Sequence, residues 1–431
     1  MREMKDSGLK WIGQIPKGWK VNRIKYLFKT TKGLSITKEN LIEEGLPVIS
    51  YGQIHSKMNT GVTVDEELLR FVSFEYRKFV SSKMEKFDFA FADTSEDYEG
   101  CGNCVYKRTD DELYGGYHVV ILKSIKKEDN RYFAYLFQTD VWREQIRTKA
   151  SGVKVFSVTQ KIINEASVII PPAAMQTRIT TFLDAKCAEI DALTADIHTQ
   201  IDTLEQYKRS VITEIVTKGL NPDVEMKDSG IEWIGEIPST WDIIRGKYLL
   251  KYLQKPVKED DGVITCFRDG EVTLRSNRRE DGFTMSDKEI GYQGIDVGDL
   301  VVHGMDGFAG AIGISDSRGK ASPVLNVMDT KQNKRYIMYY LRSMAYSDVF
   351  VALATGIRVR SCDLRWNKLA DLPYPVPTID EQNAIVEYID ATLEKTDAVI
   401  SEKKAQLETL DEYKKSLIYE YVTGKKEVPS I

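Results

Sequence analysis

A 24-residue stretch occurs twice in this chain of 431 residues. Residues 4–27 read MKDSGLKWIGQIPKGWKVNRIKYL, and residues 226–249 read MKDSGIEWIGEIPSTWDIIRGKYL, with 15 of the 24 positions identical. The offset of 222 (226 − 4) is close to half the chain. The protein is therefore an internal duplication, and each half has to close a core of its own. In each copy the tryptophans (Trp11 and Trp19, Trp233 and Trp241) are expected to anchor the repeat against a helix end, rather than to face a ligand.

A second pair of tracts repeats at an offset of 206. MQTRITTFLDAKCAEIDALTADIHTQIDTLEQYKRSVITEIVTKG (175–219) is answered by EQNAIVEYIDATLEKTDAVISEKKAQLETLDEYKKSLIYEYVTGK (381–425). Ile190, Leu193, Ile197, Leu204, Tyr207 and Val211 fall on a 3-4 spacing, with Gln200 in one seam slot. Ile389, Leu393, Ile400, Leu407, Leu410 and Leu417 give the second seam. That period predicts two long amphipathic helices. Gly219 and Pro222 stop the first. Two such helices bury their seams most simply against each other, and pseudo-two-fold symmetry makes the pair antiparallel. About 30 residues of seam span roughly 45 Å, on the order of 13 base pairs of B-DNA.

Before each helix lies a mixed segment. In the first, residues 30–46 read as loop and LPVISYGQI (46–54) as a strand; residues 68–80 fit helix or strand. FDFAFAD (87–93) and YHVVILK (117–123) read as strands, residues 129–150 as one helix, and GVKVFSV (152–158) and ASVIIPP (166–172) close the segment. The second half runs in parallel: a strand pair in VITCFRDGEVTLRS (263–276), a strand in GDLVVHG (298–304), a helix over 333–355, and TGIRVRS (355–361) matching SGVKVFS (151–157). The expected fold class is α+β: two mixed α/β domains separated by two long helices forming an antiparallel coiled coil, with an internal pseudo-two-fold repeat. The expected boundaries are 1–172, 173–220, 221–377 and 378–431.

Composition limits the chemistry. The net charge of −5 means that any DNA contact must concentrate its basic residues on one face or share the task with a partner. Five scattered cysteines suit reduced thiols. Cys101 and Cys104 form one CxxC, but a zinc ribbon needs a second pair. PDVEMK (222–227) crowds the letters of a nuclease motif into a linker. GISDSRGKAS (313–322) has one spacer too many for a phosphate loop, and Ala321 where a magnesium-binding hydroxyl belongs. No catalytic set and no metal site is expected. No membrane span is expected, and a cytoplasmic location follows by default.

Basic residues do cluster: Lys29, Lys32 and Lys38; Arg143, Arg147, Lys149 and Lys154; Arg268, Arg275, Arg278 and Arg279; Arg358, Arg360, Arg365 and Lys368. Such residues neutralise phosphates, and arginine forks read base edges. Lys154 and Arg358 occupy matched positions in GVKVFS and GIRVRS. Tyr51, Gln53 and His55 follow a strand and join the candidate DNA-contacting set of Lys32, Lys38, Lys154, Arg268, Arg275, Arg278, Arg279, Arg358 and Arg360.

With those residues in view, the chain resembles the specificity subunits of type I restriction–modification enzymes over essentially its whole length. VTKGLNPDVEMKDSGIEWIGEIPSTW (216–241), the paired PP…Q and P…EQ helix starts and the closing LETLDEYKKSLIYEYVTGK carry the resemblance. It implies that each globular domain is a target-recognition domain reading one half of a bipartite, asymmetric double-stranded DNA site. The helices would set the spacer and dock two methyltransferase subunits, and restriction subunits would join the complex. AdoMet, ATP and magnesium would belong to those partners. Two other classes stay open on the residues alone, a self-contained DNA methyltransferase or nuclease, and a coiled-coil scaffold that touches no DNA.

Overall fold

Phenylalanine alternates with alanine along Phe89–Ala92, and that alternation sets the architecture of the first half. Successive side chains of a strand point to opposite faces. Phe89 and Phe91 enter one core with Phe28, Leu122 and Phe137, while Ala90 and Ala92 enter a second with Ile54, Val105 and Ile121. A computed structural model describes residues 3–278, 290–353 and 364–429. The chain divides into two units, Met1–Asp196 with Gln406–Ile431, and Ile197–Ala405. Each long helix gives one half to each unit.

In the first unit the central antiparallel sheet has the order Cys104–Tyr106, Phe89–Ala92, Val119–Ser124, Phe28–Lys32. In the second, Ile312–Ile314, Leu300–His303, Leu325–Thr330 and Leu250–Tyr252 take the same order. What lies beside the sheet differs. The first unit carries a second four-stranded sheet built from Tyr114–Gly115, Leu46–Ile49, Arg70–Val72 and Leu41–Ile42. The second carries two short ribbons, Ile264–Cys266 with Val272–Leu274 and Gln293–Ile295 with Gly319–Ala321.

Several expectations change. The stretch read as loop from residue 30 is strand through Lys32 and again at Leu41–Ile42. The strand expected over 46–54 ends at Ile49. Ser50 caps a one-turn helix, Tyr51–Ile54, whose Gln53 side chain reaches back to the Ser50 amide at 3.1 Å. That bond satisfies the Ser50 amide as the chain turns. The single helix expected over 129–150 is two, Arg131–Phe137 and Asp140–Arg147. Thr139 adopts an extended backbone between them, and the new direction buries Trp142 and Ile146. Of GVKVFSV only Phe156–Ser157 is strand, paired with Thr94–Ser95. Residues 355–361 lie outside the described residues.

The long helices are Ala173–Lys218 and Ile379–Val422. On the first, Ile190, Thr194, Ile197, Ile201, Leu204, Lys208, Val211 and Ile215 are buried or half-buried, while Leu193, Gln200 and Tyr207 are exposed. The covered stripe thus keeps four of the expected positions and moves the alternate ones by one residue, from a 3-4 to a 4-3 phase. Apolar count favoured Leu193 and Tyr207. The helix instead covers the stems of Lys208 and Ile201 and pairs the lysine head with Asp397 at 2.5 Å. The matching pair in the first unit is Lys414 with Asp191, also at 2.5 Å. All six expected positions of the second helix fall on its covered stripe.

The repeated stretch begins each half and packs against the end of a long helix. Trp19 is 2% exposed and meets Tyr132 edge-on at 6.3 Å; Trp241 is fully buried and meets Tyr336 edge-on at 6.5 Å. Each sits against the glycine that ends a long helix, Trp19 against Gly424 and Trp241 against Gly219. Trp11 is only half-buried and Trp233 is exposed, so one tryptophan per copy is the anchor.

Candidate nucleic-acid interface

In the first unit Lys32, Tyr51 and Lys154 gather at one end of the central sheet. Lys32 closes the edge strand Phe28–Lys32, and the next amide, Gly33, donates to the Val119 carbonyl at 2.9 Å. Two residues back along that neighbouring strand, the Tyr117 carbonyl accepts from the Tyr51 amide at 3.3 Å. The Tyr51 ring packs edge-on against Tyr117 and His118, at 5.6 and 5.4 Å. His118 has a positive φ of 56 and places Nδ1 3.1 Å from Asp93. Tyr117 and His118 were not singled out from the sequence, where GGYHVV reads only as the start of a strand.

His55 is held at both ring nitrogens. Its Nε2 bonds the Thr94 carbonyl at 2.8 Å, and its Nδ1 faces the Asn103 side-chain amide at 3.1 Å. The carbonyl accepts from Nε2, and Nδ1 accepts from the amide. Gln53 is engaged in the Ser50 cap. Both residues therefore shape the turn that presents Tyr51. The Phe156–Ser157 pairing with Thr94–Ser95 carries the preceding loop to the same end, with Lys154 exposed and Val153 96% exposed. Lys38 is exposed on a one-turn helix before Leu41–Ile42, and Arg70–Val72 lies between that strand and the one leading to Tyr51.

Arg143 and Arg147, expected among the surface cations, face inward. Arg143 donates to the Phe137 carbonyl at 2.8 Å, and burial lowers its pKa. Arg147 binds the Glu99 carbonyl at 2.7 Å and Asp140 at 2.9 Å. Their helix turns them toward the loop at 97–101. Cys101 and Cys104 are fully buried there, and burial pushes Cys104 up to about 12, the opposite of a reactive thiol.

In the second unit Arg268, Arg275 and Arg278 line one open cleft of about 540 Å³ with Phe267, His303 and Asp306. Arg268 and Arg278 flank the turn of the ribbon Ile264–Cys266/Val272–Leu274, while Arg275 leaves its second strand. The His303 Nδ1 accepts from the amides of Met305 and Asp306 at 3.2 and 2.9 Å, and burial lowers its pKa. The structure thus brings three of the four clustered arginines together. Arg279, Arg358 and Arg360 lie outside the described residues. Among the described residues no group of histidine, cysteine and carboxylate side chains could hold a metal ion, and no helix is long and apolar enough to cross a membrane.

Comparison with known proteins adds the context. Residues 16–203 match the type I restriction modification DNA specificity domain. A Methanocaldococcus jannaschii chain assigned as the MjaX specificity subunit of a type I restriction enzyme is 23% identical, over 97% of this chain and 96% of that one. The MjaVIII specificity subunit of the same organism is 24% identical over 69% of this chain and 71% of its own. A solved chain from a type I R-M system superposes with a TM-score of 0.68 at 13% identity, covering 96% of this chain and 99% of the other, which establishes a shared fold. Residues 16–203 carry the match to the type I DNA specificity domain, one specificity-subunit relative aligns over nearly the whole chain, and the fold is shared, so the chain is similar throughout to the specificity subunits of type I restriction–modification systems.

Proposed function

We propose that the chain recognises a bipartite, asymmetric DNA site, one half by each globular domain (1–172 and 221–377). The two long helices (173–220 and 378–431) act as an antiparallel coiled coil that fixes the spacer and docks two methyltransferase subunits. Catalysis, AdoMet, ATP and magnesium reside on those partners and on restriction subunits. The observation that carries this reading is a repeated frame around unlike loops. The contacts joining domain to helix recur in both halves: Tyr135 to Asp184 at 2.7 Å and Tyr339 to Asp390 at 2.6 Å, Tyr132 to the Val422 carbonyl at 2.7 Å and Tyr336 to the Val216 carbonyl at 3.1 Å. Among the described residues the second four-stranded sheet of the first domain has no counterpart in the second, which carries two short ribbons instead. A duplicated frame with diverged readers suits two different half-sites at a fixed gap.

Tyr51, Lys32 and Lys154 are the first domain's candidate contacts; Arg268, Arg275 and Arg278, with Arg279, Arg358 and Arg360, are the second's. Gln53 and His55 act by positioning Tyr51, and Lys38 contributes charge. The matched tyrosines Tyr207 and Tyr413 are 49% and 54% exposed, which supports a docking face on each helix. The test is genome-wide adenine-methylation mapping in cells carrying the full complex. Replacing residues 30–150 with the corresponding stretch of another family member is expected to change one half of the methylated motif and leave the other half and the gap intact. Methylation independent of this chain, or a change in both halves, overturns the reading.

A further inference from the structure

Arg268 and Arg278 each face a carboxylate across the mouth of their cleft. We propose that this cleft reads the major-groove edge of a G·C base pair, with Asp269, Glu271 and Asp306 as specificity-determining residues. The inference rests on the DNA-recognition reading above and narrows it to one kind of base pair in the half-site of the second domain.

Arg278 is held from three sides. Its guanidinium lies over the Phe267 ring at 4.2 Å, binds Asp269 at 2.6 Å and binds Glu271 at 3.0 Å. Arg268 binds Asp306 at 2.8 Å. Asp306 is itself placed by the His303 ring, which accepts its backbone amide. The forks are thus oriented before any ligand arrives, and little side-chain freedom remains to be lost on binding.

The pairing of forks with carboxylates is what distinguishes a base edge from a phosphate. A patch that only neutralises backbone charge gains from unopposed lysine and arginine. Asp269 and Asp306 line the same cleft and offset the charge of the arginines they bind, which weakens its pull on a phosphate. Guanine, by contrast, presents O6 and N7 acceptors to an arginine fork, and its partner cytosine presents an N4 amino donor to a carboxylate. An A·T pair at the same place sets the adenine N6 donor against a guanidinium and the thymine O4 acceptor against a carboxylate. The cleft is complementary to the first pair and opposed to the second at both positions.

The test uses the full chain and a library of duplexes with randomised positions, selected for binding and sequenced. The wild-type chain is expected to enrich a two-part motif with at least one G·C pair in the part that changes when residues 221–377 are exchanged. Substituting 7-deazaguanine at that guanine removes N7, and affinity is expected to fall about tenfold while binding to a mixed-sequence duplex is unchanged. Asp269→Asn with Glu271→Gln is expected to relax selection at that pair only. The same variant should bind the mixed-sequence duplex more tightly, with a salt dependence steeper by about one unit in log–log slope per phosphate newly contacted. Unaltered selection in the other half-site controls for folding. A second-domain half-site without a G·C pair, no effect of 7-deazaguanine, or equal loss in both halves overturns the inference. If the wild-type chain enriches no two-part motif, the recognition reading itself fails.

Discussion

Tyr339 donates its hydroxyl hydrogen to Asp390 Oδ1 across 2.6 Å, and Arg335 binds the same oxygen at 2.6 Å. The first unit holds the counterpart, with Tyr135 and Arg131 on Asp184. One carboxylate on each long helix therefore ties down the helix that covers the sheet. Burial, then the bond to Asp390, pushes Tyr339 up to about 12. Asp390→Ala leaves a largely buried phenol without its acceptor and is expected to cost about 1–3 kcal/mol. Chemical denaturation of the full chain measures it, and an unchanged midpoint would show the bond to be dispensable.

The two glycines at the helix ends should respond unequally. Gly219 and Gly424 have φ of 77 and 67, where an L side chain is strained. A Cβ at Gly219 comes within 3.2 Å of the Trp241 ring, whereas one at Gly424 comes within 2.7 Å of Pro16 and 3.0 Å of Trp19. Gly219→Ala is expected to lose roughly 1–2 kcal/mol from the left-handed backbone alone. Gly424→Ala should lose more, because Pro16 has to move. Equal shifts in denaturation midpoint would count against the close approach.

Acid should loosen the second unit through Asp261. Arg318 hydrogen-bonds both oxygens of this carboxylate, at 3.0 and 2.8 Å, and holds it down to about 2. A carboxylate depressed below its unfolded value of about 3.9 adds stability above that pH and loses it as pH falls toward the folded value. The contribution, roughly 2 kcal/mol, is expected to vanish between about pH 4 and pH 2. Asp261→Asn should be less stable at neutral pH and flatter across that window. Parallel acid titrations of the two proteins by tryptophan fluorescence would refute the assignment.

The 4-3 stripe makes a sharp contrast along the helices. Ile400 is 3% exposed and Leu193 is 52% exposed. Ile400→Ala should cost about 2–4 kcal/mol as a buried large-to-small change. Leu193→Gln should stay within about 0.5 kcal/mol for folding. Thermal melts followed by circular dichroism separate the two; a large loss from Leu193→Gln would restore the 3-4 phase.

Much of this was legible because duplication writes each constraint twice. Trp19 and Trp241, Asp184 and Asp390, and Gln176 and Gln382 recur at matched positions, and each pair makes matched contacts. The strands FDFAFAD and YHVVILK were legible from alternation and β-branching. The misreadings came where local pattern meets tertiary choice. Leu193 outranks Thr194 on hydropathy, yet the stripe follows whichever side chains the opposing helix covers. Arg143 looks like a surface cation until the break at Thr139 turns it inward. His55 reads in the sequence as a polar residue after a strand, and only the fold brings Thr94 and Asn103 to its two nitrogens.

The sequence by itself determined the duplication, the two long helices and the mixed α/β segment before each, because these are written in period, identity and spacing. Tertiary structure decided the phase of the helical stripe, the division of each half into a shared frame and unlike additions, and the company each charged side chain keeps. Those outcomes depend on groups far apart in the chain. Arg268 and Asp306 are 38 residues apart and form one pair only because a ribbon turn and a strand end meet at the same cleft.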